Sequence, residues 1–234
     1  MRHDMIDTGR AAANLVDVRA RIEAVGGDGH VEILAVTKGF GADIIDVAAA
    51  IGCGSIGENY SQEVLAKRAA IEAHAGLDTH FIGQLQSNKV RQLAGIVSVW
   101  ASVDRAKLVR EIARRDPGGR IMIQVDTSAL SGIDEPGKGG CPIADLDDLV
   151  AIARDAGLEL LGLMTVGPTD GGPGAARPGF EAVRAAVDRH GLSVCSMGMT
   201  ADHEVAIQSG STQVRIGTAL FGSRPVPAGR EQER

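Results

Sequence analysis

The stretch LAVTKGF, residues 34–40, places a lysine directly after an apolar run. Ile33 to Val36 have the pattern of a buried strand, and the glycines on either side of Phe40 indicate the turn that ends it. Two interpretations of Lys38 remain open at this level. The lysine either lies just past the strand and extends its amine into water, or it is held at the mouth of a barrel or sheet, where the amine can react.

The strand in this stretch is the first of eight similar units along the chain. The strand candidates are ILAVTK (33–38), SIGEN (55–59), THFIG (79–83), VSVWASVD (97–104), RIMIQVDTS (120–128), ELLGLMTVGP (159–168), LSVCSMGMT (192–200) and QVRIGTALFG (213–222). The helix candidates between them are ADIIDVAAAIG (42–52), SQEVLAKRAAIEAHA (61–75), SNKVRQLAGI (87–96), DRAKLVREIARR (104–115), ADLDDLVAIARDA (144–156), FEAVRAAVDRH (180–190) and ADHEVAIQSG (201–210). An additional helix is predicted over residues 8–25, with its apolar positions at Ala12, Leu15, Val18, Ile22 and Val25.

Strands that alternate with helices indicate right-handed crossovers and a parallel sheet. Eight repeats predict an α/β fold, a single (β/α)8 barrel of the TIM type with an extra N-terminal helix. An open doubly wound sheet is the alternative, but no GxGxxG follows the first strand. We expect one domain over residues 1–234, with a core at about 10–224 and a polar tail at 225–234. The loops at 129–142 and 167–179 have no assigned role.

The composition argues against several classes of partner. The 234-residue chain has a net charge of −6, no basic stripe and only 3% aromatic residues, so nucleic acid is not an expected partner. Its three cysteines are scattered without a CxxC pair or a Cys/His cluster, so no metal site is expected. The N-terminus has no signal-peptide pattern and no apolar run has membrane-spanning length. A cytoplasmic protein that does not contact membranes is therefore expected.

Polar residues collect at the predicted carboxyl ends of the strands, which meet on one face of such a barrel. Besides Lys38, these include Asn59 after the second strand and the GQLQSNK segment (83–89) after the third. Two of these polar segments could bind an anion, because each combines a hydroxyl group with a glycine that lets backbone N–H groups approach the ligand. These segments are SMGMT, with Ser196, Gly198 and Thr200, and RIGT, with Arg215, Gly217 and Thr218. Tight strand-to-helix turns and helix caps are the alternative explanation.

A lysine beside a phosphate site suggests pyridoxal 5'-phosphate (PLP), which carries both an aldehyde and a phosphate. Attachment of PLP requires a neutral amine, and a neighbouring cation such as Arg215 would favour it by lowering the lysine pKa. Arg215 could also face the pyridine nitrogen. A salt bridge from Arg215 to a barrel carboxylate such as Glu58 remains the alternative.

Six motifs together resemble the YggS/PROSC family of PLP homeostasis proteins, which is similar to the N-terminal barrel domain of alanine racemase. The motifs are LAVTK, IGENYSQE, HFIGQLQSNK, GLMTVGP, SMGMTADHEVAI and VRIGTALFG, and the resemblance covers about residues 10–224. The resemblance implies PLP held as a Schiff base on Lys38. It also implies that Arg215, Gly217 and Thr218 meet the pyridine nitrogen and the phosphate. Ser196 and Thr200 would form the other phosphate loop, and Asn59 would line the cofactor ring.

The chain departs from the family pattern at three places, one of which is the glycine of GLMTVGP, where many members have proline or alanine. Thr200 stands where the family usually has serine, which is a conservative change. The segment DTSALSGIDEPGKGGCP (126–142) differs from the usual serine- and lysine-rich version but keeps Lys138 and a glycine pair.

Two main functions remain open: a PLP-binding protein in intracellular PLP homeostasis without robust catalysis, and a small PLP-dependent amino-acid racemase. Racemisation needs a proton acceptor on each face of the substrate. Alanine racemase supplies the second acceptor from a tyrosine of another domain. Here the only tyrosine is Tyr60, which is expected to pack at the rim. An arginine at the pyridine nitrogen would also make the ring a weak electron sink.

A role in PLP homeostasis is therefore preferred over amino-acid racemisation. PLP, possible amino-acid ligands and transiently bound apoenzymes are the expected partners of a monomer. An aldolase-like barrel enzyme is a third and weaker reading, because it leaves the phosphate loops without a role.

Overall fold

Eight parallel strands form a closed barrel in the computed structural model, which describes residues 6–27, 29–132 and 139–224. The strands are β1 (Glu32–Val36), β2 (Ser55–Glu58), β3 (Asp78–Phe81), β4 (Val99–Val103), β5 (Arg120–Asp126), β6 (Glu159–Met164), β7 (Val194–Ser196) and β8 (Gln213–Ile216). Each strand pairs in parallel with the next along the chain, and β8 pairs with β1. The predicted (β/α)8 barrel is confirmed.

Helices surround this barrel and follow the predicted pattern closely. They are α1 (Thr8–Ala24), α2 (Asp43–Ala50), α3 (Ser61–Ala66), α4 (Arg68–Ala73), α5 (Ser87–Leu93), α6 (Ala106–Arg115), α7 (Ser128–Ser131), α8 (Leu146–Asp155), α9 (Arg177–Arg189), α10 (His203–Gln208) and α11 (Thr218–Phe221). The extra N-terminal helix is α1, which begins where the Asp7 carboxylate accepts hydrogen bonds from two backbone N–H groups. Its buried face contains Ala11 rather than Ala12, so that position of the predicted stripe was wrong.

Two predicted elements are divided in the structure. The helix expected over 61–75 is two short helices, α3 and α4, which meet at Lys67 with a φ of −92° and a ψ of 0°. The last strand candidate, 213–222, is a strand only as far as Ile216, and α11 follows it after one residue. The polar RIGT segment therefore crosses from the end of a strand into the first turn of a helix.

The two loops of unassigned role contain short elements. After β5, the chain forms α7, and Cys141–Pro142 then pairs with β5 as a two-residue strand; residues 133–138, including Lys138, lie outside the described residues. The 167–179 loop contains a 3₁₀ turn at Pro173–Ala176, and α9 begins within it. The predicted polar tail, 225–234, also lies outside the described residues.

The apolar side chains form two clusters that indicate which residues face the barrel interior. The smaller cluster consists only of strand residues, namely Val99, Ala101, Met122 and Met164. The larger one joins the outer faces of the strands to the helices, and it includes Val214 and Ile216 of β8. Since successive residues of a strand point to opposite faces, Arg215 faces the interior.

Strand register brings the predicted site segments together at the carboxyl end of the barrel. Val36 of β1 aligns with Gly57 of β2, and Ala35 aligns with Ile216 of β8. On the other side of β8, β7 is the next strand. The segments that follow β7, β8, β1 and β2 are therefore neighbours around the rim.

Candidate functional site

Lys38 lies in the turn directly after β1, with its side chain partly buried. Burial lowers the pKa of its amine below the ordinary 10.5, and the guanidinium groups of Arg224 and Arg215 lower it further, against the opposing effect of Glu63 and Glu58. Arg224 passes over Gly39, where an added Cβ would lie 2.7 Å from the arginine Cδ. A lysine with a lowered pKa has more neutral amine available as a nucleophile.

Arg215 is fixed inside the barrel by three hydrogen bonds. Its Nη1 donates to the carbonyl oxygen and to the Oγ of Ser196 at 2.7 and 3.1 Å, and its Nη2 donates to the carbonyl oxygen of Thr165 at 2.7 Å. Burial lowers the pKa of this guanidinium to about 10. A guanidinium has five N–H donors, so these bonds leave two of them for a ligand.

Glu58 does not pair with Arg215, and the salt bridge considered from the sequence is wrong. The Oε1 of Glu58 instead accepts hydrogen bonds from Lys67 Nζ at 2.7 Å and from Thr37 Oγ1 at 2.6 Å. Glu58 shares the outer face of β2 with Ile56, which packs against the helices, whereas Arg215 faces inward. Burial raises the pKa of the Glu58 carboxyl, and the Lys67 ammonium opposes that rise.

The SMGMT segment after β7 is close to Arg215 and tightly built. Gly198 has a φ of +94°, and an added Cβ would lie 2.6 Å from the Cβ of Ala206, so only glycine fits this bend. The carbonyl oxygen of Gly198 accepts a hydrogen bond from the backbone N–H of Arg215 at 2.9 Å. Asp202 holds the next residues by accepting from the N–H of Met199 at 2.6 Å. Thr200 is half-buried at the rim.

The RIGT segment after β8 lies directly against β1. An added Cβ at Gly217 would lie 3.2 Å from the carbonyl oxygen of Val36, so the glycine allows the backbone to pass close to the strand that carries Lys38. Thr218 begins α11 and is exposed. Its hydroxyl and the backbone around it are therefore accessible at the mouth of the barrel.

Asn59 and the GQLQSNK segment meet in a groove beside this mouth. The groove has a volume of about 190 Å³ and is lined by Asn59, Tyr60, Ser61, Gln62, Phe81, Gln84, Leu85, Gln86 and Lys89. Tyr60 is 49% exposed, so it is at the rim as predicted but is not packed there. Asn59 is partly buried and lies one residue after β2, level with Lys38 on the neighbouring strand.

Four residues that contact or influence Lys38 or Arg215 were not found from the sequence: Lys67, Glu63, Arg224 and, through its backbone carbonyl oxygen, Thr165. Thr165 and Lys67 contribute through tertiary hydrogen bonds that no local pattern indicates. The spacing of Glu63 and Lys67, four residues apart, predicts only a pair on a helix surface. Arg224 lies just beyond the last recognised motif, and its position over Gly39 depends on the closure of the barrel.

This arrangement suits a small ligand with a carbonyl and an anionic group. Lys38 offers an amine of lowered pKa, and Arg215 offers a buried cation with further N–H donors. The two loops offer hydroxyls together with glycines that allow close backbone packing against Ala206 and Val36. Among the described residues, no group of three or more His, Cys, Asp or Glu side chains could hold a metal ion. Within the same ranges, no helix is both long and apolar enough to cross a bilayer.

The closed barrel, with a partly buried lysine of lowered pKa after its first strand, is similar to known protein domains. The family described as alanine racemase, N-terminal domain, matches residues 6–225. The PLP homeostasis protein of Pseudomonas aeruginosa is 39% identical over 225 residues, covering 91% of this chain and 95% of the relative. The Escherichia coli protein of the same name is 36% identical, covering 91% and 96%. The chain therefore belongs to the alanine racemase N-terminal domain family and, within it, to the PLP homeostasis proteins.

Solved structures agree with this assignment. A protein of Bifidobacterium adolescentis described as unknown has a TM-score of 0.80 and 32% identity, covering 94% of this chain and 98% of its own. PipY of Synechococcus elongatus, solved with PLP bound, has a TM-score of 0.76 and 28% identity, covering 91% and 100%. Lysine decarboxylase from Selenomonas ruminantium, at 13% identity and a TM-score of 0.66, shares the fold alone.

Proposed function

We propose that this protein binds PLP at Lys38 and serves intracellular PLP homeostasis. The observation that carries the proposal is the convergence of Lys38 and the buried Arg215 at one end of the barrel, between two glycine-containing loops. The names of the relatives and the PLP bound to PipY support the same conclusion. We treat residues 1–234 as one PLP-binding domain that acts in the cytoplasm as a monomer and contacts apoenzymes transiently.

The residues at the mouth divide the recognition of the cofactor between them. Ser196, Gly198 and Thr200 from one loop, and Gly217 and Thr218 from the other, would hold the phosphate. Arg215 would donate to the ring nitrogen, and Asn59 would line the ring. When bound, PLP supplies an aldehyde that condenses with a neutral amine, with loss of water, and a ring that withdraws electrons.

Arg215 also limits the chemistry of the site. Its guanidinium has donors only, and its three hydrogen bonds to Ser196 and Thr165 hold it in one orientation. It can neither protonate the ring nitrogen fully nor act as a base. Lys38 could take a proton from one face of a substrate, but racemisation requires a second acceptor across the ring. We therefore favour a carrier without robust catalysis over an amino-acid racemase.

Borohydride reduction of the PLP-loaded protein, followed by peptide mass mapping, tests the proposal. We expect the reduced cofactor on Lys38 and its absence from the Lys38→Ala variant. Lys89→Ala is the matched control, because Lys89 lies at the same rim and should not affect labelling. Cofactor on Lys89 or another lysine of the wild-type protein, with none on Lys38, would contradict the assignment.

A further inference from the structure

Both peptide groups that flank Lys38 are held by side chains from one turn of the neighbouring helix. Lys67 Nζ donates to the carbonyl oxygen of Thr37 at 2.8 Å. On the other side, the backbone N–H of Gly39 donates to Glu63 Oε2 at 2.7 Å. Glu63 lies in α3, and Lys67 is the first residue after that helix. The two residues are four positions apart, so their side chains extend from the same surface.

Glu58 connects these contacts to the barrel wall. Its Oε1 accepts from both Lys67 Nζ and Thr37 Oγ1, whereas its buried Oε2 has no partner among the described residues. Lys67 and Glu58 have side chains that are only 3% and 0% exposed. A buried ion pair adds little stability compared with apolar packing, because both charges lose their hydration. Its presence beside the reactive residue therefore needs another explanation.

Other polar clusters in the described part of the chain give weaker evidence for a functional role. The groove beside Asn59 has one lysine and several amides, but nothing in it identifies a ligand. The polar residues at the amino end of the barrel bond to one another, as in the pair of Arg120 and Asp78. The contacts around Lys38 are the ones that bear directly on chemistry.

We infer that Lys67 and Glu63 are positioning residues, which fix the backbone on both sides of Lys38 and so set the direction of its amine. The lysine side chain is long and flexible, so a rotation of its own backbone would move the amine by several bond lengths. Anchoring Thr37 and Gly39 removes that rotation. This inference rests on the proposed attachment of PLP at Lys38.

The break between α3 and α4 fits this role. A continuous helix was expected over 61–75, but the backbone leaves helical geometry at Lys67, where ψ is 0°. The Lys67 side chain points into the layer between β2 and the helices, where it meets Glu58 and Thr37. The helix is thus interrupted at the residue that contacts the backbone before Lys38.

The test compares the rate of PLP loading with the affinity for 4'-deoxypyridoxine 5'-phosphate, which lacks the aldehyde and reports only the ring and phosphate contacts. We expect Lys67→Met and Glu63→Met to slow borohydride-trapped loading at least about tenfold, because misplacement of a reacting group is costly. Loss of the Glu63 carboxylate by itself lowers the pKa of Lys38 and would speed loading, so a slower rate reports lost positioning. Affinity for the analogue should stay within about twofold of the wild-type value, since its contacts remain. Lys67→Arg should recover part of the rate, because it can still donate to the Thr37 carbonyl.

Matched controls are Lys107→Met and Glu72→Met, which alter an exposed lysine of α6 and an exposed glutamate of α4. If Lys67→Met does not fold, Glu63→Met alone decides the test, because Glu63 is partly exposed and its replacement should be tolerated. Loading at the wild-type rate in these variants would overturn the inference, as would an equal loss of loading and analogue affinity. If the wild-type protein itself shows no trapped cofactor on Lys38, the proposed function fails instead.

Discussion

Arg215 and Thr165 are joined by a hydrogen bond of 2.7 Å between Nη2 and the backbone carbonyl oxygen. Thr165 directly follows β6, and Arg215 belongs to β8, so the guanidinium reaches past β7 to connect the carboxyl ends of two strands that are not neighbours. The same side chain bonds to Ser196 at the end of β7. Arg215 thus holds three strand ends together at the point where the SMGMT and RIGT segments lie.

Replacing Arg215 with methionine should destabilise the cofactor-free protein. The change removes the guanidinium donor from the Thr165 carbonyl oxygen, whereas the Ser196 carbonyl oxygen still accepts from the backbone N–H of Thr165 at 3.2 Å. The free energy of unfolding should therefore fall by about 1–3 kcal/mol. Urea unfolding followed by circular dichroism gives this value directly. Arg91→Met on the exposed surface of α5 is the control and should change stability by less than about 0.5 kcal/mol. Equal stability of the two variants would show that the hydrogen bonds of Arg215 do not contribute to folding.

The two threonines at the mouth should matter for binding rather than for stability. Thr200 is half-buried and Thr218 is exposed, so neither packs in the core. A hydrogen bond to a charged group contributes about 1.5–3 kcal/mol, so each alanine variant should weaken PLP affinity about tenfold or more. Equilibrium dialysis measures the affinity, with Ser193→Ala at the amino end of β7 as the control. Unchanged affinity in the double variant would place the phosphate elsewhere.

Proton exchange distinguishes the carrier from the racemase. With PLP-loaded protein in deuterated water, we expect no substantial racemisation of alanine and at most slow deuterium exchange at its α-carbon. Such exchange without inversion would indicate that Lys38 reaches one face and that no second base acts across the ring. NMR detects abstraction even on a single face. Rapid exchange that disappears in Lys38→Ala would establish an enzyme instead.

The rate of PLP loading should rise with pH, because the neutral form of the Lys38 amine reacts. The midpoint of this rise should lie below pH 10.5, the ordinary pKa of a lysine, because the pKa of Lys38 is lowered. Arg224 is one cause of that shift. Arg224→Gln removes a cation, so the pKa of Lys38 should rise and the midpoint of the pH–rate profile should move to higher pH. Loading at pH 7.5 should then be slower. Arg91→Gln should leave the midpoint in place, and an unmoved midpoint in Arg224→Gln would contradict the electrostatic account.

The sequence alone predicts the barrel and the neighbouring positions of its site segments. Strand and helix periodicity define the eight units, and parallel pairing places Lys38 beside Asn59 on one side and Gly217 on the other. These features depend on local pattern and on general rules of connection. They needed no knowledge of individual side-chain contacts.

The partners of the buried charges could not be predicted in the same way. The alternation within a strand shows that Glu58 and its neighbours face opposite sides, but it does not show which side is the interior. Lys67 lies in a run with continuous helical spacing, and the break there coincides with its tertiary contacts with Glu58 and Thr37. Tertiary contacts of this kind commonly override local helix propensity.

The pairing of β1 with β8 has a consequence for the nascent chain. Lys38 follows the first barrel strand, whereas Arg215, Gly217 and Thr218 come from the last strand and the turn after it. The ribosome therefore synthesises Lys38 early and the other three residues late. Until β8 has emerged and joined β1, the amine of Lys38 has neither Arg215 as a cationic neighbour nor the RIGT segment beside it. Ligand capture at this site therefore requires that β8 has been synthesised and that the barrel has closed.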